Sequence, residues 1–244
     1  MSKFFNYIKR QFYKDQLFYT IILLTSLAFV ITNRCFMGFD SILWIADFGT
    51  IFGVLNIIYT AKHSIWGLIF NAISSAFLVT TSLIQHVWFN ATITLLINIP
   101  FLIVGTIKWK IHEKEHKEEK NLKVMKTKNF LLLTGLLIVV SAIFTVALYY
   151  LNGNLFYLDA LFTSLCLLGV VLSSNMYKEQ FYYFIAGNFV GVVMYSILSL
   201  QTLNNIPYVF LLTIDFIVAI KGLVNWTRLW KIQEQQKQEN IANE

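Results

Sequence analysis

Apolar runs of roughly 20 residues, separated by short polar breaks, recur along the whole chain. A helix that crosses a bilayer needs about 20 mainly apolar residues. Eight stretches meet that requirement, at roughly 17–33, 41–61, 64–84, 87–107, 129–151, 157–175, 181–200 and 206–226. The sixth is short and is the weakest of the eight. The pattern predicts an all-α integral membrane protein with about eight transmembrane helices in 1+3+1+3 order. It divides the chain into an inner-surface amphipathic segment with an extra transmembrane helix (1–40), a first three-helix repeat (41–107) and a charged cytoplasmic linker (108–128). A connecting helix (129–151), a second three-helix repeat (157–226) and a cytoplasmic tail (227–244) complete it.

Charge gives this reading an orientation. Only 13% of residues are charged and 57% are hydrophobic, whereas soluble domains carry about 25% charged residues. If the N-terminus is inside, 18 of the 19 Lys and Arg fall on the inner side, eight of them in the 108–128 linker, and only Arg34 falls outside. One miscounted span would scatter that segregation, so both termini are expected in the cytoplasm and the protein in the cell membrane. The net charge of +6 therefore reads as membrane orientation and lipid contact, not as nucleic-acid binding. No cleavable signal peptide is apparent. Phe4, Phe5, Ile8 and Phe12, interleaved with Lys3, Lys9, Arg10 and Lys14, suit a short helix on the inner membrane surface; a disordered basic tail is the alternative. Cys35 and Cys166 belong to no Cys-x-x-Cys and read as small packing residues.

His112-Glu113-Lys114-Glu115-His116 fits the H-E-x-x-H pattern of zinc peptidases, the remote alternative of a membrane protease. Zinc hydrolysis also needs a third protein ligand and a dry cavity. The motif lies instead in the most polar tract of the chain, and His63 and His86 are expected on opposite sides of the membrane. We read it as a coincidence in a solvated charge run, where Glu113 and Lys117 support an exposed helix. The chain is thus expected not to be an enzyme, with no metal and no cofactor.

The two triplets resemble one another. Phe52-Gly-Val-Leu55 matches Leu168-Gly-Val-Val171, Lys62 repeats as Lys178, Gln85 as Gln201 and Asn71 as Asn188, all at an offset of 116 or 117 residues. A single span between two triplets restores their direction, so the repeats are parallel, as in sugar transporters of the SWEET type. Such repeats enclose a substrate site near the bilayer midplane and rock about it. Gly49-x-x-x-Gly53 and Gly187-x-x-x-Gly191 allow close helix packing within each half.

Polar residues within the spans need either a partner or a lumen. Asp215 lies mid-span, and three readings stay open: a partner on a neighbouring helix, a cavity group for a substrate hydroxyl or cation, or proton coupling. Asp47 and Asp159 lie nearer the outer ends of their spans, as caps or interface residues. Asn56, Asn71, Asn98 and Asn188 each place an amide in the membrane, where interhelical hydrogen bonds are the plain alternative to substrate contact. Phe181, Phe184 and Asn188 share one helix face and would suit a hydroxylated, ring-containing ligand; Phe side chains facing lipid are the alternative. Pro100 frees a backbone carbonyl and predicts a kink in the fourth span.

"WIADFGTIFGVL" from Trp44, "GTIKW" (Gly105–Trp109) and "YKEQFYYFIAGN" (Tyr177–Asn188) resemble segments of the PnuC family of nicotinamide riboside transporters. There the matching runs are W-I-x-x-x-G-T-x-x-G, G-W-Y-x-W and Y-x-E-x-W-x-x-W-x-x-x-N. The resemblance covers about residues 41–226. It implies a facilitator that takes up nicotinamide riboside or a related vitamin or nucleoside by alternating access, with intracellular phosphorylation trapping the substrate, and it implies a homo-trimer. Thiamin, riboflavin and deoxynucleosides are the alternative substrates. Of the family's binding face Asn188 is kept. The residues expected to carry binding are Phe181 and Phe184, stacking on the base, Asn188, Asn71 and Asn98, binding ribose hydroxyls or the carboxamide, and Asp215, balancing charge. Two departures matter, since Phe181 and Phe184 stand where the family has tryptophans. Phe is the weaker cation–π partner for a pyridinium ring.

Overall fold

The computed structural model describes residues 2–37, 41–62, 64–84, 88–115, 123–150, 155–201 and 205–242. Its elements are α1 (Ser2–Met37), α2 (Ser41–Ala61), α3 (Trp66–Ile84), α4 (Trp88–Ile93), a π-helical turn (Thr94–Asn98), α5 (Ile99–Glu115), α6 (Thr127–Tyr150), α7 (Phe156–Ser174), α8 (Gln180–Gln201) and α9 (Ile206–Ala242). Among the described residues, eight helices are long and apolar enough to cross a membrane, with α4, the π turn and α5 together forming the fourth. They fall within a few residues of the predicted spans, and the short sixth stands as α7.

Two ends differ from expectation. The basic amphipathic segment is not a separate helix: α1 runs unbroken from Ser2 to Met37, a stretch with neither Gly nor Pro. At the other end α9 continues past residue 226 to Ala242, so most of the predicted tail is the helical extension of the last span. The linker ends in order as well. Lys123 forms a bridge with the α7–α8 turn, its N–H donating to Met176 O at 3.0 Å and its carbonyl accepting from Lys178 N–H at 3.1 Å.

The two triplets pack reciprocally. In the first, α3 lies between α2 and α5; in the second, α8 lies between α7 and α9. Across the halves α2 packs on α9 and α5 on α7, so the first helix of each triplet meets the third of the other. This is the arrangement that a two-fold axis along the bundle generates. α2 and α7 are the most buried spans, and α1 and α6 flank them from outside. The outer face of α6 exposes Leu131, Leu132, Ile138 and Ile143, as a helix bathed in lipid does.

Because lipid tails are as apolar as leucine, small residues and buried polar contacts set the packing. A Cβ on Gly49 would stand 3.1 Å from Phe77 Cβ of α3, and Ser74 Oγ of α3 donates to Gly49 O at 2.9 Å. Gly187 and Gly191 face α7 in the same way, against Cys166 and Phe162. Gly53 does more than the predicted packing within one half, since it also meets Leu211 of α9 in the other.

Candidate functional site

Between the two triplets lies a cavity of about 130 Å³, walled by α2 and α3, the π turn, α7, α8 and α9. Every one of these elements contributes a polar group: Asn56 from α2, Asn71 from α3, Thr94 and Asn98 from the π turn, Ser173 from α7, Asn188 from α8 and Asp215 from α9. Phe184, Phe162, Tyr195 and Tyr208 supply aromatic wall.

Five of the six residues singled out from the sequence (Phe184, Asn188, Asp215, Asn71 and Asn98) line this cavity, and Phe181 does not. Phe181 and Asn188 do share a helix face, but seven residues of α-helix span about 10 Å along the axis. That distance carries Phe181 beyond the cavity floor. There it is fully buried, edge-on to Trp226 with ring centroids 5.4 Å apart and packed against Gly222. Phe184 is one turn nearer Asn188. Its ring lies against Gly169 of α7, where an added Cβ would come within 2.5 Å of it, so Gly169 leaves the room that the ring occupies.

The π turn shapes the wall from the first half. Ile99 N–H reaches back to Thr94 O, five residues away, and the wider turn buries both Thr94 and Asn98 against the cavity. Pro100, which has no N–H to donate, follows directly in the first turn of α5. Where a kink was expected the structure has a π bulge, a form that recurs at functional sites.

Several polar atoms remain open to a ligand. Thr60 Oγ1 donates to Asn56 Oδ1 at 3.1 Å and Ser75 Oγ to Asn71 Oδ1 at 3.3 Å, which leaves both amide NH₂ groups as donors. Asn188 makes no side-chain hydrogen bond among the described residues. Asn98 Oδ1 and one carboxylate oxygen of Asp215 are buried without a hydrogen-bond partner there. Buried polar atoms are ordinarily satisfied, so acceptors left open on the π turn and on α9, both lining the cavity, mark a place for a donor that enters from outside. At the far wall Tyr208 donates to Thr81 and stacks on Tyr195 with centroids 5.0 Å apart. Tyr195, Tyr208 and Phe162 were not picked out from the sequence. Their positions give no signal in one chain, because an aromatic in an apolar span reads equally as a lipid-facing residue.

The other sequence candidates lie elsewhere. Asp47 is buried in an ion pair with Arg34, which joins α1 to α2, and Asp159 accepts from Thr163 Oγ1 at 3.2 Å within α7. Cys166 lines the cavity, although it was read as packing alone. Residues 112–115 continue the backbone of α5, while His116, His63 and His86 lie outside the described residues. Among the described residues no three His, Cys, Asp or Glu converge as a metal site.

Residues 43–228 match the family described as "Nicotinamide mononucleotide transporter". The nicotinamide riboside transporter PnuC of Neisseria mucosa is 22% identical over 193 residues, covering 77% of this chain and 73% of that protein. The crystal structure of the vitamin B3 transporter PnuC superposes with a TM-score of 0.74 at 21% identity, over 89% of this chain and 92% of the other. The two share a fold.

Proposed function

The chain belongs to the nicotinamide mononucleotide transporter family of multi-pass membrane proteins, and from that premise we propose that it is a facilitator taking up nicotinamide riboside or a closely related vitamin or nucleoside. The observation that carries the reading is the cavity between the triplets, where amides from both halves, four aromatic rings and one carboxylate converge. Phe184 stacks on the base. Asn71, Asn98 and Asn188 bind hydroxyls or the carboxamide. The Asp215 carboxylate balances a pyridinium cation and offsets part of the attraction, about 0.5–2 kcal/mol, that phenylalanine supplies less well than tryptophan.

Cavity size bears on the mechanism. A cavity of about 150 Å³ just holds a benzene ring, and sites for drug-sized ligands reach about 300–1,000 Å³. At about 130 Å³ this one is too small for a whole nucleoside. Substrate entry therefore requires the halves to separate, and the reciprocal α2–α9 and α5–α7 contacts are where one half rocks on the other. Net uptake then runs downhill, and phosphorylation inside the cell traps the product. Both termini lie in the cytoplasm on this reading.

Uptake of radiolabelled nicotinamide riboside into proteoliposomes tests the proposal, with thiamin, riboflavin and deoxynucleosides as unlabelled competitors. Saturable uptake without an imposed gradient, blocked by unlabelled nicotinamide riboside alone, is the expected result. Uptake suppressed instead by another vitamin or by a nucleoside would move the substrate while keeping the transporter. Absence of flux for all of them would sink the proposal.

A further inference from the structure

A second cavity, of about 310 Å³, opens where α1, the end of α2 and α9 meet at one end of the bundle. It shares no lining residue with the central one. Its polar lining is Asp15, Gln16 and Tyr19 from α1, Lys62 after α2, and Asn225 and Arg228 from α9. The charges there do not balance. The one acid, Asp15, is already held by Lys221 Nζ at 2.9 Å. Lys62 Nζ lies over the rings of Tyr19 and Tyr59, 5.0 and 5.8 Å from their centroids. Neither Lys62 nor Arg228 has a carboxylate partner among the described residues, so two unpaired cations face a cavity whose one lining carboxylate is paired with a third cation. Tyr19 is buried. Its hydroxyl accepts from Asn225 Nδ2 at 3.3 Å, which leaves its own O–H free to donate into the space.

We propose that this cavity binds a phosphate group, carried either by the headgroup of an anionic phospholipid or by a soluble phosphate ester. A guanidinium pairs two of its N–H groups with phosphate oxygens, and an ammonium adds a point charge beside it. Basic pockets between transmembrane helices take anionic headgroups for the same reason. Leu17 and Ile21, 52% and 53% exposed on the outer side of α1, offer an apolar flank on which acyl chains would lie. The α1 wall falls outside residues 43–228, the part that matches the family, while both cations lie within it; what separates the site from the transport cavity is that the two have no lining residue in common.

Native mass spectrometry of the purified full-length protein tests the inference, with phosphatidylglycerol in one sample and phosphatidylcholine of the same acyl chains in another. A parallel measurement follows the thermal shift with glycerol 3-phosphate in lipid-free detergent. At least a tenfold preference for phosphatidylglycerol, lost in Lys62→Gln/Arg228→Gln, identifies a lipid site. A thermal shift with glycerol 3-phosphate, lost in the same variant, identifies a soluble ester. Lys62→Arg keeps the charge and leaves Arg228 in place, and should keep binding. Lys110→Gln/Lys128→Gln removes as much charge from exposed positions elsewhere and should also keep it. Should the glutamine pair not fold, Arg228→Gln alone, at an exposed position, is expected to weaken binding at least threefold. Preference for neither phosphate, or an equal loss in the Lys110/Lys128 control, would overturn the assignment.

Discussion

Trp226 donates its indole N–H to the backbone carbonyl of Thr60 at 3.2 Å, tying the third helix of the second triplet to the last turn of α2. Trp109 makes the reciprocal bond from the first triplet, Nε1 to Ser173 O at 3.2 Å in the last turn of α7. The two indoles meet with centroids 6.3 Å apart. Each tryptophan follows a glycine by four residues (Gly105 and Gly222), and at both glycines an added Cβ would collide with a neighbour, Ser174 or Phe181. The halves are therefore joined by one device used twice, below the floor of the central cavity.

The two bonds should not be equal in effect. Ser173 O also accepts Met176 N–H at 3.0 Å, whereas Trp226 is the only donor to Thr60 O from outside α2 among the described residues. Removing one partner so that a buried group is left unsatisfied costs about 1–3 kcal/mol. Trp226→Phe is expected to destabilise the protein by that amount, and Trp109→Phe by less than half of it. Thermal unfolding in detergent measures both, and equal losses would show that ring packing, not the hydrogen bond, is what matters.

Phe181 and Phe184 should part company in function. Phe184→Ala removes the cavity's stacking ring and is expected to lower uptake at least tenfold, mainly through KM, with unfolding little changed. Phe181→Ala empties a fully buried site against Trp226 and should cost about 3–5 kcal/mol of stability before it affects KM. Gly169→Ala would push the Phe184 ring out of place and should reproduce the Phe184 phenotype. Proteoliposome uptake and thermal unfolding, run on all three variants, separate the roles.

Much of this fold is legible in the sequence because span length is a strong one-dimensional signal. The helices α2, α3, α6, α7 and α8 follow from it to within about two residues, whereas α5 runs on to Glu115, past the predicted end at 107. Legibility of the site stops where depth along a helix matters. The period that sets Phe181 beside Asn188 on one face is silent about the 10 Å between them along the axis, and only the floor built by Trp226 and Gly222 separates the two. The Gly105–Trp109 and Gly222–Trp226 repeat is present in the sequence but escapes reading, since four residues cannot be told from coincidence until the reciprocal bonds give them a shared task. Arg34 stood as the one basic residue on the wrong side; its partner, Asp47, thirteen residues on, supplies the reason.

That ion pair makes its own prediction. Arg34 and Asp47 are 4% and 1% exposed, so removing either alone leaves an uncompensated buried charge. Arg34→Met by itself is expected to cost about 3–5 kcal/mol, whereas Arg34→Met with Asp47→Leu should recover most of that loss. A double-mutant cycle on thermal unfolding checks it. Additive losses would mean that the two side chains act independently and that α1 is held to α2 by packing alone.

Asp215 allows the transport reading to be tested at a single atom pair. Its carboxylate lines the cavity with one oxygen buried and unpartnered among the described residues. Asp215→Asn keeps the size and the polarity and removes the charge. If the carboxylate balances a pyridinium ring, the variant should lose at least tenfold in apparent affinity for nicotinamide riboside, about 1.4 kcal/mol. Competition by an uncharged deoxynucleoside should stay level or improve, because a neutral ring has no use for the charge. A structural role predicts another pattern: affinity for both compounds would fall together, and the unfolding temperature with them. Uptake with paired competitors and one melting curve distinguish the two, since only a charge facing the substrate changes the ratio between a cationic and a neutral ligand while the protein stays as stable as before.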